Sequence, residues 1–375
     1  MKAPAEVKTE RQGNSMRTKK EKNYIIAVAS FGDYRAGVVR EIRLILGTSL
    51  TVYAGAPAYE SSIRLLDYKA AGVIQLVNRY FGHNFLFQSI SFMPMIRADN
   101  IIMDLNPRIP HVWLITIIRR FLGKPTVLWG HAWPRSGPNS ITEPIRALLR
   151  KLATGLVTYT ESQAESLRAR HPGKRITVAP NALYSRGQMS FNSESHRFRI
   201  LFVGRLVKEK KIGILIDAFE QIGGSDPRIV LTIVGDGPEN AMLRDKAAQS
   251  QYHDRVELLG YVSDFEQLRP IYAESIVSVS PGCVGLSVTQ SLAFGVPMLI
   301  SKDEDHGPEI ESAISGFNCG FFETDNPGAL AKGLLAFVRH PENWQKRGSG
   351  IAMDCARRYS VERMAQGLQA ALVGD

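Results

Sequence analysis

Apolar positions along the chain gather into short β-branched runs, about 20–40 residues apart, with amphipathic helical stretches between most of them. The first series comprises Tyr24–Ser30, Leu50–Ala54, Asn100–Asp104, Thr126–Trp129, Gly155–Tyr159 and Ile176–Ala179. Such alternation predicts a parallel sheet with helices on both faces. Residues 184–197 are polar and read as a linker. The rhythm then restarts with Arg199–Val203, Ile229–Val234, Val256–Leu259, Ser275–Val279 and Pro297–Ile300. The expected fold class is α/β, with two doubly wound, Rossmann-like domains over residues 23–183 and 198–352. Their strand ends should face each other across a crevice, where ligands bind in such sheets. Residues 353–375 have helical spacing and are expected to pack back on the first domain.

Composition narrows the class. A chain of 375 residues suits two domains. Its three cysteines, Cys283, Cys319 and Cys355, are widely spaced and form no CxxC, which argues against a disulfide framework or zinc site and for a reducing compartment. No apolar run reaches about 18 residues, so no spanning helix is expected. Residues 1–22 are polar and basic, lack the apolar stretch of a signal peptide, and read as a disordered tail. Charge is divided unevenly. Residues 1–190 hold 27 Lys+Arg against 12 Asp+Glu, a net +15, whereas residues 191–375 hold 19 against 24, a net −5. A basic half implies an anionic partner. No nucleic-acid motif is present, so an acidic membrane surface is the expected partner, with a merely solvated basic surface as the alternative.

Candidate chemistry sits at strand ends of the second half. In Phe202-Val-Gly-Arg-Leu-Val-Lys-Glu-Lys-Lys211 a strand gives way to Arg205 and Lys210, a guanidinium and an ammonium suited to a diphosphate. The turn Val234-Gly-Asp-Gly-Pro-Glu239 follows, and Leu259-Gly-Tyr-Val262 presents backbone groups to a flat base. In SPGCVGLSVTQSLAFGVP, residues 280–297, a glycine turn runs into a helix ended by Gly295 and Pro297. The amides at a helix start make an anion site.

Taken in order, GRLVKEKK, VGDGPE, LLGYVS, SPGCVGLSVTQSLAFGVPM and HGPEIESAISGFNCGFF resemble the donor half of the family 4 retaining glycosyltransferases, which have the GT-B fold. In the first half, Asp104-Leu-Asn-Pro-Arg, Thr126-Val-Leu-Trp-Gly-His-Ala-Trp133 and Val178-Ala-Pro-Asn181 resemble bacterial members more loosely. The resemblance implies a nucleotide-sugar donor in the second domain and an acceptor against the first. It implies that Arg205 and Lys210 hold the leaving diphosphate, assisted by main-chain donors of Gly285, Leu286, Ser287, Val288 and Thr289. With that charge in place no metal or other cofactor is expected.

The sequence departs from the family at its two carboxylates, normally Glu-x7-Glu, which here fall on Gly282 and Gln290. Glutamine can exchange hydrogen bonds with a ribose diol, but glycine cannot replace a side chain. Glu309 and the loop Lys302-Asp-Glu-Asp-His306 are the nearest candidates to read the sugar. Asp303 and Asp305 form a DxD, read as an exposed acidic loop or sugar contact rather than a metal site. His131 matches the family's active-site histidine. Trp133 either stacks on a sugar or packs, and Arg35, after the first strand, is placed to meet an acceptor phosphate. Residues 110–122 read as a covering helix of the first sheet, with membrane contact as the alternative. The expected function is sugar transfer to a lipid-linked oligosaccharide or surface polysaccharide at the cytoplasmic face of the plasma membrane, by a peripheral protein that binds no nucleic acid. A non-catalytic nucleotide-sugar-binding or scaffold protein and a nucleotide-sugar 2-epimerase are the alternatives.

Overall fold

The structure is a computed structural model that describes residues 22–59, 64–82, 85–134 and 137–374. The expected basic tail therefore lies outside the described residues, apart from Lys22.

Eight strands form the first sheet: β1 (Tyr24–Val28), β2 (Leu50–Ala56), β3 (Ile74–Phe81), β4 (Phe85–Gln88), β5 (Asn100–Asp104), β6 (Thr126–Trp129), β7 (Gly155–Thr158) and β8 (Arg175–Val178). Their order is β4-β3-β2-β1-β5-β6-β7-β8, parallel except for the β3–β4 hairpin. The second sheet holds β9 (Arg199–Val203), β10 (Val230–Val234), β11 (Val256–Gly260), β12 (Ser275–Ser280), β13 (Met298–Ser301) and β14 (Cys319–Phe322). Its order is β11-β10-β9-β12-β13-β14, and every pairing is parallel. These are two Rossmann-like parallel-sheet domains, as the alternation predicts. Strands such as β1 and β12 are buried at every residue, because helices cover both faces and each side chain meets a core.

Two separate cores flank the first sheet. On one face, the helix Ala36–Leu46 and the C-terminal helix Val361–Val373 close over Ile26, Val52 and Val157. On the other, the helices Pro110–Phe121 and Glu143–Leu152 cover Ile25, Ile101 and Leu128.

The chain crosses back between domains at Ser360, whose hydroxyl accepts from Arg363 N at 3.3 Å and caps the last helix. The preceding helix, Gly348–Tyr359, stays with the second domain, against the helix Leu286–Ala293. Beyond Ser360, Asn100 Nδ2 donates to the carbonyls of Ala371 and Leu372 at 3.2 and 2.7 Å. Among the described residues no helix is long and apolar enough to cross a membrane.

Three strands lie outside the runs that the apolar pattern predicts: β3, β4 and β14. In β3 burial does not follow polarity throughout, although Leu76 is buried. Asn78 is buried, donating to the carbonyls of Ala29 and Pro57, while Val77 and Phe81 face outward.

Candidate functional site

The loops after β9, β10 and β12 interlock at the crevice end of the second sheet. After β9 the chain passes Gly204, an exposed Arg205 and a short turn, Lys208–Lys210, before the helix Ile212–Ile222. Gly235, with φ +147°, lies so close that a β-carbon there would be 1.8 Å from Gly204 O. The glycine turn after β12 meets the same loop from the other side. A β-carbon on Gly282 would stand 2.1 Å from Glu209 O and 2.9 Å from Lys210 Cα. Cys283 N donates to Glu209 O at 3.3 Å, and Lys210 Nζ donates to Cys283 O at 2.5 Å. Gly282 thus bears no side chain because backbone occupies the space.

The helix Leu286–Ala293 begins directly behind this turn, with Gly285 as its N-cap and open space where a Gly285 side chain would lie. Leu286 and Ser287 are half-buried at its first turn, where amides have no carbonyl four residues back. Val288 and Thr289 are buried, and Thr289 Oγ1 turns back to Leu286 O at 3.1 Å. Half-buried Gln290 donates through Nε2 to Tyr184 Oη at 2.8 Å. That hydroxyl belongs to an aromatic cluster with Phe265 and Phe294, and burial pushes its pKa up to about 12. Val262 packs half-buried at the same cluster. The loop after β13 is tied to the glycine turn by His306, which accepts from Val284 N at 3.1 Å and lies 3.0 Å from Ser301 O. Gly307 N donates to Val284 O at 2.8 Å.

Glu309 joins the two domains. It is only 6% exposed, and its Oε1 accepts from Asn181 Nδ2 at the end of the first domain. Asn181 Oδ1 in turn accepts from Arg35 Nη2. Arg35 is 5% exposed, donates to Met364 Sδ at 2.8 Å and lies over the Trp129 ring. This corrects the expectation for Arg35: its guanidinium is built into the interdomain joint and does not stand open to an acceptor phosphate.

His131 follows β6, solvent-exposed, with its ring 4.9 Å from that of Tyr159. The protein around it lowers its pKa through desolvation first; the Glu309 carboxylate opposes the shift and Arg146 adds to it. Trp133 lies against the guanidinium groups of Arg150 and Arg170, 4.9 and 4.4 Å from its ring centre.

Two further contacts cross the crevice. Glu311 accepts from Glu161 N and Ser162 N at 3.0 and 3.2 Å, placing a carboxylate on a helix N-terminus of the first domain. Arg64 lies over the Tyr261 ring at 4.0 Å. A cavity of about 520 Å³ opens beside the Glu311 joint, lined by Tyr159, Pro180, Arg358 and Arg363 among others, and no glycine-turn residue lines it. The acidic loop is also engaged: Glu304 pairs with Lys211 at 2.7 Å, and Asp303 N donates to Thr324 Oγ1. Among the described residues no group of three or more His, Cys, Asp and Glu is arranged to hold a metal ion.

Asp104 is a further site candidate, one that motif spacing alone does not single out. It ends β5 facing the crevice, accepts from Ala29 N at 2.5 Å, and burial raises its carboxyl pKa to about 7. Its position at a strand's carboxyl end is the signal that could have marked it.

Residues 188–349 match the family described as glycosyl transferases group 1, and form a domain of that kind. The chain is 26% identical over 196 residues to the alpha-monoglucosyldiacylglycerol synthase of Acholeplasma laidlawii, covering 47% of each chain. It is 27% identical over 214 residues to the phosphatidylinositol N-acetylglucosaminyltransferase gpi3 subunit of Schizosaccharomyces pombe, covering 51% of this chain and 47% of that one. It spans about half the length of these curated relatives. Among solved structures, Anabaena Alr3699/HepE in complex with UDP superposes with a TM-score of 0.70 at 15% identity, over 92% of this chain and 98% of that one. The lipopolysaccharide outer core galactosyltransferase WaaB, in its apo form, gives 0.61 at 16% identity, over 93% and 98%. The fold is that of the GT-B glycosyltransferases.

Proposed function

We propose that the chain is a retaining glycosyltransferase, moving a sugar from a nucleotide-sugar donor on the second domain to a membrane-held acceptor against the first. The observation that carries this reading is the junction of two loops at the crevice, where Lys210 reaches Cys283 O beside the start of the helix Leu286–Ala293. Arg205, Lys210 and the first-turn amides surround the place where a diphosphate would leave. Sugar transfer with retention builds positive charge on the ring and negative charge on the departing phosphate, so fixed positive groups there lower the barrier. Gln290 hydrogen-bonds the ribose and Val262 lies beside the base. Glu309, with one oxygen held by Asn181, reads the sugar in place of the carboxylate for which Gly282 leaves no room. His131 meets the transferring sugar from the first domain.

UDP, bound by Anabaena Alr3699/HepE, is the first nucleotide to test. Relatives named for diacylglycerol and phosphatidylinositol support a lipid-linked acceptor, reached peripherally from the cytoplasmic face. The test is release of nucleoside diphosphate from a panel of UDP-, GDP- and dTDP-sugars with lipid acceptors, and the anomeric configuration of the product by NMR. Inverted product overturns retention. Tight donor binding with no turnover on any acceptor supports the second reading, a non-catalytic nucleotide-sugar-binding protein, which the closed space at Gly282 favours.

A further inference from the structure

The flank of the first domain turned away from the C-terminal helix exposes large apolar side chains. The helix Pro110–Phe121 presents Leu114, Ile117 and Phe121 to solvent, Phe121 being 88% exposed. The neighbouring helix Glu143–Leu152 presents Ile145 and Leu148, with Ile141 before it at 95%. The short helix Phe92–Arg97 packs against the first of these helices and adds Met93. The short helix and both long ones touch in series over the sheet face that carries Leu86 and Leu128, so their outward side chains share one flank. A contiguous apolar area of this kind marks an interaction site.

Its charge selects the partner. Residues 74–152 carry 10 Lys+Arg and 3 Asp+Glu. Of the three acids, Glu143 is paired with Arg150 and Asp104 accepts from Ala29 N, leaving Asp99 exposed. Arg97, Arg120 and Lys151, on the same three helices, are all exposed. Apolar side chains rimmed by cations fit the acyl boundary and phosphates of an anionic bilayer. A second copy of the chain would set the same cations against each other. We propose that this flank docks on an anionic lipid bilayer, with Ile117, Phe121, Ile145 and Leu148 entering the interface and Arg120 and Lys151 contacting lipid phosphates. This deepens the membrane-held acceptor reading and rests on it for its purpose.

The test is sedimentation of the full chain with vesicles of phosphatidylglycerol and phosphatidylcholine, against phosphatidylcholine alone. Binding is expected to the first only and to weaken as salt rises. Arg120→Gln with Lys151→Gln should lower partitioning by about 30-fold, from about 1 kcal/mol per cation near the surface. Ile117→Asp with Phe121→Asp should abolish it, whereas Leu44→Asp with Met353→Asp, exposed apolar sites off this flank, should retain it. Should the aspartate pair unfold the chain, the glutamine pair decides. Equal binding to both vesicle types, native binding by the flank variants, or loss in the Leu44/Met353 variant overturns the proposal. A native dimer that Ile117→Asp with Phe121→Asp makes monomeric overturns it in favour of a second copy. Nucleotide-sugar turnover without lipid is measured in parallel, so a failure of docking is distinguishable from a failure of the transferase reading.

Discussion

Gly282→Ala isolates the contact between the loops after β9 and β12. A β-carbon at this position would lie 2.1 Å from Glu209 O and 2.9 Å from Lys210 Cα. A carbon and a carbonyl oxygen settle at about 3.3 Å or more, so one loop must retreat by roughly 1 Å. Backbone lies on the far side of the contact, so no side-chain rotation relieves it. Overpacking of this kind typically costs about 1–3 kcal/mol. The retreat also separates Lys210 Nζ from Cys283 O, now 2.5 Å apart, and shifts the ammonium relative to the start of the helix Leu286–Ala293. A misplacement of about 1 Å at a reacting group can cost on the order of 100-fold in rate. The expected variant is folded, melts a few degrees lower, and loses kcat by about two orders of magnitude on the best donor. Gly282→Glu, which installs the carboxylate usual in the family 4 enzymes that the sequence resembles, should be worse because the same backbone blocks it. Thermal melting, donor calorimetry and steady-state kinetics check this together. A Gly282→Ala protein with native melting temperature and native kcat would refute the interlocked-loop account.

The other predictions concern the same crevice. Lys210→Ala should keep the fold, lower kcat by about 10²–10³ and change donor affinity less, because its charge matters most as the diphosphate departs. Transfer should survive EDTA; activity lost on chelation and restored by Mg²⁺ would shift the role to Asp303 and Asp305. Gln290→Ala should weaken donor binding by about 0.5–1.5 kcal/mol, whereas Gln290→Glu should be tolerated, since the Tyr184 hydroxyl that now accepts from Gln290 can donate instead. An inactive Gln290→Glu beside an undisturbed Gln290→Ala would show that this residue does not meet the ribose. The Asp104 carboxyl, raised to about 7 from an ordinary 3.8, binds a proton in the folded state that the unfolded chain has lost. Stability is therefore expected to fall as pH rises from about 4 to about 7, by up to about 4 kcal/mol and less to the extent that Asp104 retains solvent access. Asp104→Asn should flatten this dependence in pH-resolved urea melts; an unchanged slope would place the titration elsewhere.

Most of the second domain is legible in the sequence because its inner strands, β9, β10, β12 and β13, are largely buried on both faces. Such strands read as near-continuous apolar runs, as in β10, VLTIV, which ends at Gly235. The β3–β4 hairpin is hidden for the opposite reason. Beside Leu76 and Leu86 a third buried position carries Asn78, satisfied by two carbonyls, while the outward positions carry Val77, Phe81, Phe85 and Phe87. With apolar residues on both faces, alternation read by polarity alone is blurred. The joint of Arg35, Asn181 and Glu309 cannot be read either, because its members lie 146 and 128 residues apart and only the closed crevice brings them together. Nor does a basic residue in an apolar helix announce Arg119, which is fully buried and donates to the carbonyls of Met95, Ala98 and Pro125.

Two adjacent lysines show why GRLVKEKK is more than a solvated run. Lys211 has φ +50°, and its ammonium pairs with Glu304 and Asp325, each at 2.7 Å. It turns the chain into the helix Ile212–Ile222, and its charge is cancelled in place. Lys210, one residue earlier, rests instead on Cys283 O and makes no ion pair among the described residues. A carbonyl orients an ammonium without neutralising it, so the charge remains available to an anion. The same division runs through the acidic loop. Glu304 is held by Lys211 and His306 by the glycine turn, so both act as scaffold. Glu309 has one oxygen on Asn181 and lies beside Gly307, which itself bonds back to Val284 at the glycine turn. It thus stands near the start of the helix Leu286–Ala293, held there from across the joint by Asn181. With no side chain at Gly282 to meet the sugar, the sugar hydroxyls are expected at Glu309.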